Sequence, residues 1–235
     1  MSDTSYNQYA SRRQFLQSSA IAAAALGSLG VSQTVHAGGT DVLKVGLIGC
    51  GGRGTAAAID ALSADPNTTL VAIGDTFADR TASCLKTLKE SESIAGRVSV
   101  TPECVFTGFD AFKQVIDSGV DVVLLATPPH FRPEHLAYAV EKSKHCFVEK
   151  PIAVDVPGVL SVQKTCEEAQ RKGLAIVSGL CWRYDLGVRE TIQRIQDGAI
   201  GEIVAIESRY NSGTLWHRGR EPQWSEMEYQ MRNWL

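Results

Sequence analysis

No two of the six cysteines stand in a CxxC spacing, and the five histidines are scattered along the chain. Metal sites need clustered thiolates or imidazoles, so this pattern offers a metal centre no ligand set. Three disulfides are equally unsupported. Cys50 lies inside a glycine turn, and Cys104, Cys146 and Cys181 lie in or beside apolar runs, where a thiol serves as a small buried hydrophobe. Charge of one sign is missing too: the net charge is -3 with the signs interspersed, leaving no basic patch, and nucleic acid is excluded as an expected partner. The apolar stretch from Ala20 to Val31 is too short and too rich in Ala and Gly for a membrane span.

What the N-terminus does have is Ser11-Arg12-Arg13-Gln14-Phe15-Leu16 ahead of that stretch, then Val35-His36-Ala37, compact residues where a signal peptidase would cut. This resembles a twin-arginine export signal over residues 1–37. The alternative is an N-terminal helix or an uncleaved membrane tether. The expectation is a mature chain starting near Gly38, carried folded by the twin-arginine machinery to the periplasm or beyond, with any cytoplasmic nucleotide already collected.

From Val42 onward strand and helix patterns alternate, which predicts βαβ units and a doubly wound parallel sheet covered on both faces. The expected strands are 44–48, 70–74, 104–107, 120–126, 145–148 and 174–178, written as apolar runs because parallel strands are buried on both faces. The helices expected between them are 55–63, 78–89, 110–117, 133–143 and 155–172, the last with Val156, Val159, Leu160, Cys166 and Ala169 on its apolar face. The nucleotide-type domain closes at about Gly179, giving a division into 38–179 and 180–235. Beyond it the pattern predicts a helix over 188–196, a strand over 202–210, and an aromatic, polar tail with Trp216, Trp224 and Trp234. Two elements cannot bury a core alone, so 180–235 reads as the beginning of an incomplete second α/β domain. The alternative is a small complete protein whose tail folds back on the first domain.

The chemistry concentrates at three strand ends. After the first strand, Gly49-Cys50-Gly51-Gly52-Arg53-Gly54 is a GxGxxG turn: Gly49 for the tight turn, Gly51 for backbone approach to a pyrophosphate, Gly54 for helix-on-strand packing. The second strand ends in Asp75, placed to accept hydrogen bonds from the adenosine ribose hydroxyls and to repel a 2′-phosphate, which tilts the cofactor to NAD. Thr76 and Arg80 leave NADP possible. The fourth strand ends in Thr127-Pro128-Pro129-His130 and the fifth in Glu149-Lys150-Pro151. Strand ends of a doubly wound sheet share one edge, so these groups can line a single cleft with Lys150 near the reactive ring. There a lysine can bond a substrate hydroxyl and, with its pKa lowered by partial burial, help move a proton. Glu149 would balance charge or hold a ribose hydroxyl, unless Glu149-Lys150 is merely a solvated ion pair.

The ordered set of the glycine turn, Ala126-Thr127-Pro128-Pro129-His130, Glu149-Lys150-Pro151 and Trp182-Arg183-Tyr184 resembles the glucose-fructose oxidoreductase, inositol dehydrogenase and MocA family from about Val42 to Tyr210. The resemblance implies a Rossmann domain followed by an α/β substrate domain that often forms the oligomer interface, NAD or NADP as cofactor, and sugars or cyclitols as substrates. It also implies a catalytic or substrate-orienting role for Lys150. Gly49, Gly51, Gly52, Arg53, Gly54, Asp75, Thr127, Pro128, His130, Glu149 and Arg183 are the expected cofactor contacts. Arg183 equally fits an ion pair with Asp185 or Glu190, and His130 a helix cap. His135 and His217 read as packing or surface residues. The family's later Asp and His have no match in this chain. Three functions follow: a sugar or polyol dehydrogenase, an NAD-dependent glycosidase or lyase without net redox change, and a non-catalytic dinucleotide-binding protein.

Overall fold

Six parallel strands form one sheet in the order β3-β2-β1-β4-β5-β6 in the computed structural model, which describes residues 42–234. The export signal expected over residues 1–37 lies outside the described residues. The strands are β1 (Leu43–Ile48), β2 (Thr68–Asp75), β3 (Val105–Thr107), β4 (Val122–Leu125), β5 (His145–Val148) and β6 (Ile176–Ser178). Between them run α1 (Gly52–Ala64), α2 (Ala78–Glu90), α3 (Ala111–Asp117), α4 (Arg132–Glu141) and α5 (Val156–Arg171). This is the expected doubly wound α/β fold.

Side chains alternate across the sheet, so each strand feeds two cores. Val45 and Leu47 of β1 and Leu124 of β4 pack with Ala58 and Leu62 of α1 and Cys84 and Leu88 of α2. Ile48, Val123 and Leu125 turn the other way, onto Phe112 and Val115 of α3, Leu136 and Val140 of α4, and Val162 and Ala169 of α5. The strand order reverses between β1, which pairs with β2, and β4, which begins the second half of the sheet; at such a switch point a crevice opens beyond the strand ends.

Three expectations are corrected. Residues 202–210 form no strand: Val204, Ile206 and Tyr210 are 85–92% exposed. Their β-propensity has no neighbouring strand to pair with among the described residues, and propensity without a ladder does not hold an extended chain. The tail contains instead α7 (Glu226–Arg232), whose Ser225 cap accepts from the Glu228 N–H at 3.1 Å. In α5 the inward stripe is Val162, Cys166 and Ala169, while Val156, Val159 and Leu160 face solvent because no described element lies against them. Cys50 and Cys146 are buried as expected, but Cys181 is exposed, because the chain has left the sheet by then. The helix expected over 188–196 is present as α6 (Leu186–Gln196), capped by Asp185 and without a buried residue.

Candidate functional site

A cleft of about 610 Å³ opens where β1, β2 and β4 end, lined by the glycine turn, Asp75, Thr127, Pro128 and His130. Its floor follows from the glycines. Gly49 has φ +97°, and a Cβ there would stand 2.6 Å from the backbone of Ala126 and Thr127. A Cβ on Gly54 would sit 1.7 Å from the Gly49 carbonyl oxygen, so α1 can lie against the turn only without one. Gly51 and Gly52 have the opposite reason: a Cβ at either meets nothing within 4 Å and would project into open space. Helix α1 starts with no side-chain cap, leaving its first N–H groups free for an anion. A bare backbone beside an open helix N-terminus is a fitting cradle for a dinucleotide pyrophosphate, and Gly51, Gly52 and Gly54 would hold it.

Asp75 is fixed from two sides: its carboxylate accepts the Cys50 N–H at 2.7 Å and the Phe77 N–H at 3.0 Å. Burial raises its pKa above the usual carboxylate range, while the two N–H donors and Arg80 pull it back. The residue is one of those lining the cleft.

The β4 end is held by a residue that the sequence reading did not single out. Arg132 is 1% exposed, and its guanidinium donates to the Leu125 carbonyl at 2.6 Å and the Thr127 carbonyl at 2.8 Å. The Leu125 carbonyl also accepts the Glu149 N–H at 3.0 Å from the neighbouring strand end, so the arginine adds a second donor there and supplies one to the Thr127 carbonyl, beyond the ladder. Burial pushes its pKa down to about 10, against the pull of Glu149. The one available signal was an arginine at a helix start, where a cation is out of place. His135 packs between Phe112 and Phe131 at centroid distances of 4.1 and 5.8 Å, and Thr127 Oγ1 lies 3.3 Å from its Nδ1. Burial, helped by Arg132, pushes its pKa down to about 3.

Glu149 is 6% exposed and pairs not with Lys150 but with Arg53, Nε to Oε1 at 2.5 Å. That bond ties the glycine turn to the β5 end and settles the charge question at this triplet: Glu149 balances Arg53. Lys150 is exposed, has no ion-pair or hydrogen-bond partner among the described residues and, like Glu149, is not among the residues lining the cleft; the expected partial burial is absent because β5 ends at Val148 and the chain emerges. Arg183 ends an exposed 3-10 turn, Cys181–Arg183, outside the cleft lining, and neither Asp185 nor Glu190 pairs with it: Asp185 caps α6, and Glu190 bonds Arg194. The turn's exposure carries it away from the cleft, so the structure does not bring Arg183 to the cofactor contacts. His217 bonds the Tyr229 hydroxyl at 2.8 Å, a packing role.

Residues 43–177 match the model of an oxidoreductase family with an NAD-binding Rossmann fold. Among curated proteins, the chain is 32% identical over 112 residues to 2,7-anhydro-N-acetylneuraminate hydratase of Escherichia coli K12, covering 47% of this chain and 28% of that protein. It is 28% identical over 173 residues to glycosyl hydrolase family 109 protein 1 of Bacteroides fragilis, covering 72% of this chain and 35% of that protein. Among solved structures, myo-inositol 2-dehydrogenase from Lactobacillus plantarum superposes with a TM-score of 0.56 at 25% identity over 70% of this chain and 44% of that one. The chain thus spans about a third of the length of these curated relatives.

Proposed function

Because the chain belongs to the Gfo/Idh/MocA oxidoreductase family, with NAD(P) as its cofactor, we propose that the whole protein oxidises or reduces a hydroxyl-bearing carbon of a sugar or polyol. The observation that carries the reading is the Arg53–Glu149 bond, which ties the phosphate-type turn to the residue preceding Lys150. The bound cofactor would supply the hydride acceptor. On the protein side, the glycine turn and Asp75 orient the nucleotide, and Lys150 bonds the substrate hydroxyl and manages its proton, helped by groups of a second domain that begins within 180–235. Export through the twin-arginine route to the periplasm, and a homo-oligomer built on that second domain, belong to the same proposal.

The test is turnover at 340 nm with a panel of sugars and cyclitols, together with mass spectrometry of nucleotide released on denaturation. Replacing Lys150 by Ala is expected to lower kcat by about 10²–10⁴-fold while leaving NAD affinity unchanged. Wild-type turnover in that variant would remove Lys150 from the mechanism, and dinucleotide binding with no turnover in either form would favour a non-catalytic binder. The hydrolase and hydratase names of the relatives favour a second reading, a glycosidase or lyase whose oxidation is transient. Product release from a glycoside without net NADH would decide for it.

A further inference from the structure

The cleft does not end at Asp75. Beyond that carboxylate it continues between the β2–α2 connection, with Phe77 and Arg80, and a wall contributed by the tail, with Trp216, Arg218 and Trp234. An isolated Rossmann domain leaves this end of its crevice open to water; here the chain returns over it from more than 130 residues away in sequence.

The wall is pinned at one point. Arg232 of α7 forks onto Asp79 of α2, Nη1 to Oδ2 at 3.0 Å and Nη2 to Oδ1 at 2.8 Å, and its Nε donates to Glu228 at 2.9 Å. Its guanidinium lies over the Phe77 ring at 4.0 Å and the Trp224 ring at 4.8 Å. Bidentate pairing and stacking are what a planar guanidinium does and an ammonium cannot. Besides Arg232, the tail lines the cleft with Gln230, Met231 and two indoles, Trp216 and Trp234, at 6.1 Å and 67°, and with Arg218 over the Trp216 ring at 5.1 Å. Arg218 has no carboxylate partner among the described residues, and burial, followed by the Arg80 and Arg232 cations beside it, lowers its pKa.

Flat aromatic faces beside an unpaired guanidinium suit a purine that carries phosphate. We infer that the segment 216–234 forms the outer wall of the adenosine subsite, with Trp216, Trp234 and Arg218 contacting the adenosine phosphate half and Arg232–Asp79 positioning that wall. The inference rests on the nicotinamide-cofactor reading of the glycine turn and adds a recognition surface that the turn does not contain.

Titration of the protein with NAD, NADP and AMP, followed by tryptophan fluorescence, tests it. Arg232→Ala and Asp79→Ala are each expected to raise the Kd for NAD and for AMP by about tenfold, and Trp216→Ala to do likewise by removing a stacking face. The thermal midpoint should stay within about 2 °C, because the pair lies outside the sheet's cores. Arg232→Lys, which keeps the charge but loses fork and stack, should fall between wild type and Arg232→Ala, a grading that a purely structural role would not show in AMP affinity. A larger loss for NADP than for NAD in Arg218→Ala would place that guanidinium at a 2′-phosphate; an equal loss would place it at the shared phosphates; no loss for either would overturn its part. Unchanged affinities in Arg232→Ala and Trp216→Ala overturn the wall itself. A wild-type protein that binds neither NAD nor NADP overturns the cofactor reading, a result distinct from the last.

Discussion

Residues 42–178 and residues 179–234 are held by different physics. In the first region Leu47, Leu70, Ile73, Val123 and Leu125 are fully buried in a hydrogen-bonded ladder. In the second α6 buries nothing, Val204, Ile206 and Tyr210 stand in solvent, and the attachments are the Arg232 fork, stacked rings and caps. The glycine turn and Asp75 therefore sit on the rigid region, while the wall facing them sits on the pliant one. A cofactor site built across both, as proposed above, would have one side backed by a buried core and one held by polar and stacking contacts alone.

The largest test of this contrast is Gly54→Val. The Cβ would meet a backbone oxygen that cannot move without dismantling the turn, so a destabilisation above about 4 kcal/mol is expected in chemical denaturation, with loss of dinucleotide binding. Next comes pH. His135 has its folded-state pKa at about 3, well below the roughly 6.5 of an unfolded histidine. Between those values the unfolded chain binds a proton that the folded one refuses, so stability is lost as pH falls from about 6.5 toward 3, by up to about 1.4 kcal/mol per pH unit from this group. His135→Phe should flatten that part of the stability profile relative to wild type; equal profiles would place the titration elsewhere. The smallest effect is expected in the pliant region. Ile206→Asp should change stability by less than about 0.5 kcal/mol, whereas Leu124→Ala, on the sheet, should cost about 2–5 kcal/mol. A comparable loss from both would show 202–210 to be packed.

The sheet was legible because its strands are apolar runs bounded by glycine and polar turns, and β5 falls at 145–148 as read. The helix after the glycine turn begins at Gly52 rather than Thr55, since a glycine-rich start hides a helix that the strand ahead of it orients. Of the candidate site, the glycine turn, Asp75, Thr127, Pro128 and His130 converge on one cleft as read. Local pattern could not give the Arg53–Glu149 pair, 96 positions apart, nor the Arg232–Asp79 fork, 153 apart; both are products of topology. The strand read at 202–210 failed for the complementary reason: alternating Ile, Val and Tyr promise a ladder, but a ladder is a property of two chains' edges and not of one.

Arg132 has one more effect. Its guanidinium sits beneath the cleft floor, out of reach of the solvent that wets the half-exposed Arg53. Mobile ions in solution weaken the pull of exposed charges over about 10 Å at ordinary ionic strength, but a cation sealed beneath the floor is screened much less. The pull of the exposed arginines on a negatively charged guest is thus what a rising concentration of salt erases, while the contribution of Arg132, set against the buried Glu149 near it, is what salt barely touches.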